Sequence, residues 1–149
     1  MHLTHYTDYA LRVLIYLNLH RQRRCTALEI AEHFRVSHHH LRKVIQDLHK
    51  RGYVTTIRGK GGGLQLLRSP DQIVIGTLVR ELEPDMNLTD CFESRHHCVI
   101  APACRGRQIF GLALKQFLAV LDQHTLADLM PARVRSQCIN LLYQDSPAA

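Results

Sequence analysis

No stretch of this chain stays apolar long enough to cross a bilayer, and no basic amphipathic anchor takes its place, so a membrane partner is not expected. A small-residue cleavage site is missing too. The opening MHLTHYTDYALRVLIYLNLH carries Asp8 and Arg12 among its apolar residues and reads as a helix, not an export signal, which makes the cytoplasm the expected location. The cysteines number five, an odd count in a chain without such a signal, so a disulfide framework is a poor explanation and reduced thiols or metal ligands are better ones. There is no Ser-His-Asp arrangement, nucleophile elbow or HExxH, and the GKGGG segment lies between strands and not, as a phosphate loop does, between a strand and a helix. An enzyme is therefore not expected. At 149 residues a two-lobed enzyme is excluded, and neither an internal repeat nor a low-complexity block is present.

Acidic residues are also few, 13 against 19 Lys and Arg, with eleven His able to add charge, so the surface field should attract a polyanion such as nucleic acid. Hydrophobic residues make up 46% of the chain, enough for a packed core.

Residues 5 to 20, with Thr7 as an N-cap, carry Ala10, Leu11, Leu14, Ile15 and Leu17 in the pattern of a buried helix, which RQRRC breaks. Thr26 and Glu29 stand at capping-box spacing before a second, short helix. Ser37 can cap a third, in which Leu41, Val44, Ile45 and Leu48 form one apolar stripe. Two short helices joined by a tight turn, the second buried on one side and basic on the other, predict a helix-turn-helix over 28–51. Gly52 ends the third helix. The β-branched and aromatic Tyr53 to Ile57, the glycine run at 59–63 and the returning Leu64 to Leu67 predict a hairpin wing over 53–68.

The expected fold is mainly α with a small β hairpin: a winged helix-turn-helix domain over 1–83, a loop over 84–103, a long dimerisation helix with a short final helix over 104–130, and a C-terminal tail over 131–149. A short helix at 76–82 stops at Pro84. From Cys104 the stripe of Phe110, Leu114, Phe117, Leu118 and Leu121, flanked by Ile109, Ala113 and Val120, is too broad for a lone helix on one small domain, so part of it should bury against a second subunit.

Major-groove contacts are expected from Ser37, His38, His39, His40, Arg42 and Lys43 in the first turns of the third helix. Arg58, Lys60 and Gly62 belong to the wing tip, where an Arg entering a narrow minor groove is a familiar device. Cys91, Cys98 and Cys104 read C-x6-C-x5-C, unlike the paired C-x2-C knuckles of most structural zinc sites. Unconnected thiols, zinc and an iron–sulfur cluster all remain open on spacing alone. A long loop without periodicity and the neighbouring cations Arg95, His96, His97, Arg105 and Arg107 favour metal-binding thiolates. Three Cys would leave one position of a four-iron cube for water, a thiol ligand, His96, His97 or an oxygen ligand. Asp8, alone, reads as an acid complementing the positive end of a helix. Cys25 and Cys138 read as packing or surface residues.

LTHYTDYALRVLIYL, VSHHHLRKVIQDLHKRGYV, VTTIRGKGGGLQL, VRELEP, the three-Cys loop, IAPACR and HTLADLM together resemble the NsrR repressors, nitric-oxide sensors of the winged-helix family that also contains IscR and RirA. The resemblance spans roughly residues 1 to 130. It implies a homodimer that binds double-stranded DNA at a two-fold symmetric operator and represses transcription. It also implies a cluster, 4Fe-4S favoured and 2Fe-2S possible, held by Cys91, Cys98 and Cys104 and completed by Asp8 of the partner subunit. Nitric oxide is the implied effector, releasing genes of nitric oxide detoxification. IscR-like chains place a His three residues beyond the third Cys, where this chain has Arg107, which weakens an IscR assignment. Sensing of iron or cluster supply, a cluster or electron carrier, and a zinc-stabilised DNA-binding protein are the rival readings.

Overall fold

A computed structural model describes residues 2–57, 59, 61–89, 92 and 98–144. Helix α1 (His5–Leu19) runs through the centre of the core, with Ala10, Val13, Leu14, Tyr16 and Leu17 inaccessible or nearly so. Its N-cap is Thr4, not Thr7: the Thr4 hydroxyl accepts the Thr7 N–H at 3.3 Å. Glu83 fixes that choice from far along the chain, accepting the Thr4 N–H at 2.9 Å and its hydroxyl at 3.0 Å.

Helices α2 (Ala27–His33) and α3 (His38–Lys50) follow, and both pack with α1 in one apolar cluster. The capping box of Thr26 and Glu29 forms as the sequence predicts. The turn between the helices is tight because Arg35 adopts φ 51° and Val36 N–H reaches back to the Ala31 carbonyl at 3.0 Å. At the other end of α3, Gly52 takes φ 75°. Gly52 N–H bonds the His49 carbonyl at 3.0 Å and Tyr53 N–H bonds Leu48 at 2.9 Å, a paired closure that satisfies the last carbonyls and needs a left-handed residue at Gly52.

Strands β1 (Val54–Ile57) and β2 (Gly63–Leu66) pair antiparallel, Val54 opposite Leu66 and Ile57 opposite Gly63. A 3-10 turn at Pro70–Gln72 leads to α4 (Ile75–Leu82). After the 83–104 segment, which ends in a 3-10 turn at Ala101–Ala103, the long α5 (Arg105–Asp122) packs on α4, pinned by Arg80 to Asp122 through two contacts of 2.6 Å. Helix α6 (Leu126–Leu129) returns to the core through the inaccessible Leu126.

The tail expected over 131–149 is instead a helix, α7 (Ala132–Gln144), through most of its length. Its half-buried positions, Val134, Arg135, Cys138, Ile139 and Leu142, form a helical stripe. The Arg in that stripe meets polar partners: Arg135 donates to the carbonyls of Asn18 (2.8 Å) and Leu19 (2.9 Å), satisfying the open C-terminal end of α1. Among the described residues no helix is long and apolar enough to cross a membrane.

Candidate nucleic-acid interface and cysteine segment

Burial of Leu41, Val44, Ile45 and Leu48 sets the orientation of α3. The same rotation leaves Ser37, His38, His39, His40, Arg42, Lys43 and Gln46 exposed, so every residue expected to meet the major groove lies on an accessible surface. The Ser37 hydroxyl caps the helix by accepting the His40 N–H at 3.5 Å, and no acid occupies the first turn. Helix dipole and side chains therefore present positive potential together. The one acid farther along, Asp47, is held by Arg51 at 2.9 Å.

The wing follows α3, and its first strand packs against that helix. Its turn closes through Gly62 N–H to the Gly59 carbonyl at 2.9 Å; Arg58 and Lys60 lie outside the described residues. Tyr53 anchors the wing base: its inaccessible ring lies under the Arg68 guanidinium, 4.5 Å from the ring centre, and its hydroxyl donates to Glu81 at 2.9 Å. Burial and that carboxylate push the phenol up to about 12. Cys25, expected as packing or surface, is fully buried and pairs its backbone with Leu64 in both directions, at 3.1 and 2.7 Å. Burial pushes its thiol up to about 11, so it stays a protonated structural residue.

Glu29 of α2 gathers polar partners beside a group of packed rings. The Tyr16 hydroxyl donates to Glu29 at 2.7 Å, Arg23 pairs with the same carboxylate, and the Tyr143 ring of α7 meets the rings of His20 and His33 edge-on. Burial opposes the charge on Glu29, yet Arg23, Tyr16 and the Thr26 N–H outweigh it and hold the carboxyl down to about 2.

In the cysteine segment, Cys98 is exposed and Cys104 half-buried, both as free thiols; Cys91 lies outside the described residues. Cys104 occupies the N-cap of α5, but its side chain makes no capping bond. Its sulfur is near the uncapped, positive end of an 18-residue helix whose first turn holds Arg105 and Arg107 and no acid. A Cβ on Gly106 would lie 3.4 Å from that sulfur, so glycine keeps the space beside it open. Phe92 packs on α5, its ring 3.7 Å from where a Gly111 Cβ would stand.

Asp8 sits in the first turn of α1, paired with Arg12 at 2.9 Å, and the Arg12 guanidinium lies over the Phe34 ring. Among the described residues no group of three His, Cys, Asp or Glu is placed to hold a metal ion, so Asp8, Cys98 and Cys104 of one chain do not converge. Arg12, Phe92 and Arg23 take part in these arrangements without a periodic sequence signal; only the basic run RQRRC marks one of them.

The sequence model of the Rrf2 family, described as iron-dependent transcriptional regulators, matches residues 3–132. The HTH-type transcriptional regulator NsrR of Geobacillus kaustophilus is 47% identical over 135 residues, 89% of this chain and 92% of its own. NsrR of Bacillus subtilis is 47% identical over 132 residues, 87% and 90% of the two chains. Among solved structures, T. potens IscR is similar with a TM-score of 0.72 at 25% identity, over 92% of this chain and 91% of its own. CymR, the global cysteine regulator of B. subtilis, has a TM-score of 0.71 at 28% identity, over 87% and 95%. With an exposed recognition helix, a wing and a match across nearly the whole chain, this protein belongs to the Rrf2 family of HTH-type transcriptional regulators.

Proposed function

We propose that the chain is a dimeric repressor that senses nitric oxide through an iron–sulfur cluster held by Cys91, Cys98 and Cys104 and completed by Asp8 of the partner subunit. The observation that carries this reading is the pair of free thiols bracketing the turn into α5, with the Cys104 sulfur unused in capping and set at a positive helix end. Cysteine sulfur is the usual ligand of iron in such clusters, so the donors fit one. The NsrR relatives, nearly half identical over most of the chain, support nitric oxide as the signal. A 4Fe-4S cluster suits three thiolates and a carboxylate, with 2Fe-2S the alternative. Its chemistry, when bound, is an iron centre open to attack by nitric oxide.

The second subunit has a surface to meet. Leu114, Phe117, Leu118 and Leu121 of α5 are half-buried within the chain, while Ile109, Leu112 and Val120 are more than half exposed along another stripe of the same helix. An apolar cavity of about 630 Å³, lined by Leu3, Met86, Leu88, Leu114 and Phe117, opens next to it. Two-fold pairing along α5 would present two recognition helices to a symmetric operator.

Asp8 is the proposed ligand that lies within the DNA-binding unit. Through Arg12 it touches Phe34, the residue that closes α2 at the helix-turn-helix turn, so a change in what Asp8 holds reaches that turn through two contacts. A coupling of about 1–3 kcal/mol shifts affinity roughly five- to 150-fold.

Anaerobic purification with an absorption spectrum and iron and sulfide analysis tests the cluster. Brown protein that loses its iron in Cys98→Ala and Cys104→Ala is expected; colourless protein with stoichiometric zinc overturns the reading. The family's description favours a second reading, iron supply as the signal, distinguished by operator release on iron depletion without nitric oxide.

A further inference from the structure

The basic segment between α1 and α2 has no part in the function described so far. Its backbone meets the wing in a one-residue antiparallel bridge, through the two hydrogen bonds between Cys25 and Leu64. The approach is close because position 63 is glycine. Gly63 has φ 153°, and a Cβ there would lie 2.9 Å from both the Arg24 Cβ and the Cys25 carbonyl oxygen. Beyond this crossing, Arg24 reaches the wing tip, and its Nη1 donates to the Gly61 carbonyl at 2.8 Å. Arg23 holds the segment in turn, donating from Nη1 to the Arg24 carbonyl at 3.2 Å while its other nitrogen pairs with Glu29 of the α2 capping box. An unbroken run of contacts thus joins the wing tip to the helix-turn-helix.

We propose that Arg24 is a positioning residue for DNA binding, which holds the wing tip, through Gly61, in the place from which it meets the duplex. The inference rests on the reading that the wing contacts DNA. The physical need is clear in the hairpin itself. A two-stranded ribbon is marginal alone, and this one has four paired positions and a tip containing Gly59, Gly61 and Gly62, the residue type with the most freedom to lose. A charge-assisted bond from a neighbouring segment orders that tip before the duplex arrives, which lowers the ordering cost of association. The guanidinium keeps its charge while bonded to a carbonyl, so its remaining donors leave the tip positive.

The test uses the full-length, anaerobically purified protein and a duplex that it selects from a random-sequence pool. The variants are Arg24→Ala and Arg24→Lys. In the free protein, amide exchange of Gly62, whose N–H closes the turn, should quicken in Arg24→Ala and recover partly in Arg24→Lys, whose ammonium can donate to the same carbonyl. On DNA, Arg24→Ala should lose hydroxyl-radical protection at the minor-groove flanks, keep guanine N7 protection in the major groove, and bind about two- to tenfold more weakly. Unchanged Gly62 exchange overturns the grip of Arg24 on the tip. Uniform loss of both protections overturns a role specific to the wing. Absence of flank protection in the unmodified protein shows instead that the wing reading is at fault, and the proposal falls with it.

Discussion

Asp8 and Arg12 are paired at 2.9 Å one turn apart on α1, and the Arg12 guanidinium carbon lies 5.7 Å from the centre of the Phe34 ring. The proposed fourth ligand is thus already in contact with the helix-turn-helix. Both side chains are more than a third exposed, so as a fold-stabilising pair they contribute only about 0.3–0.5 kcal/mol. Asp8→Asn should therefore move the melting temperature by no more than about 2 °C. It should, however, speed loss of the visible absorption band when the loaded dimer is exposed to a chelator. A variant that holds its colour as long as the parent would remove Asp8 from the ligand set.

Two glycines should differ in what they tolerate. Gly52→Ala places a side chain at φ 75°, with no neighbour nearer than 3.4 Å, and should cost about 1 kcal/mol. Gly63→Ala adds a 2.9 Å contact with a backbone carbonyl and should cost more, since it pushes the wing off Cys25. Urea unfolding of the two variants compares them directly; equal losses would contradict the close strand approach.

The helix-turn-helix was legible because Leu41, Val44, Ile45 and Leu48 repeat over two turns and the core buries all four. The wing was legible from its glycine run. Thr4 was not, because Thr4 and Thr7 both precede or open the same apolar pattern and only Glu83, brought in by the fold, selects between them. Helix α7 was missed for a related reason: Arg135 interrupts its apolar stripe, and its partners are carbonyls of α1. Cys25 forms a bridge one residue long, which has no period to read. In the site, the cations of α3 could be placed from sequence, whereas the grip of Arg24 on Gly61 depends on tertiary proximity alone.

Acid should weaken the protein through Glu29. Its carboxyl falls from an ordinary 4.5 to about 2 in the fold, so the unfolded chain takes up the proton first. The stabilisation is complete above about pH 4.5 and is lost as the pH falls towards about 2, on the order of 2 kcal/mol. Glu29→Gln should start less stable at neutral pH and show a shallower decline across that window in thermal melts. An unaltered slope would mean that the pairing with Arg23 and Tyr16 does not persist in solution.

Self-association should depend on the outer stripe of α5. Leu112 is 58% exposed in the single chain, so Leu112→Glu should spare the fold. A buried, unpaired charge at a subunit interface should instead shift the protein to monomer in sedimentation velocity. Retention of the dimer would place the subunit contact elsewhere.

Nitric oxide titration of the anaerobic, iron-loaded protein, with duplex affinity measured before and after at one fixed salt concentration, tests the proposed function most directly. The expected result is tight binding that weakens at least about fivefold as the visible absorption changes. Equal affinity before and after treatment would contradict it.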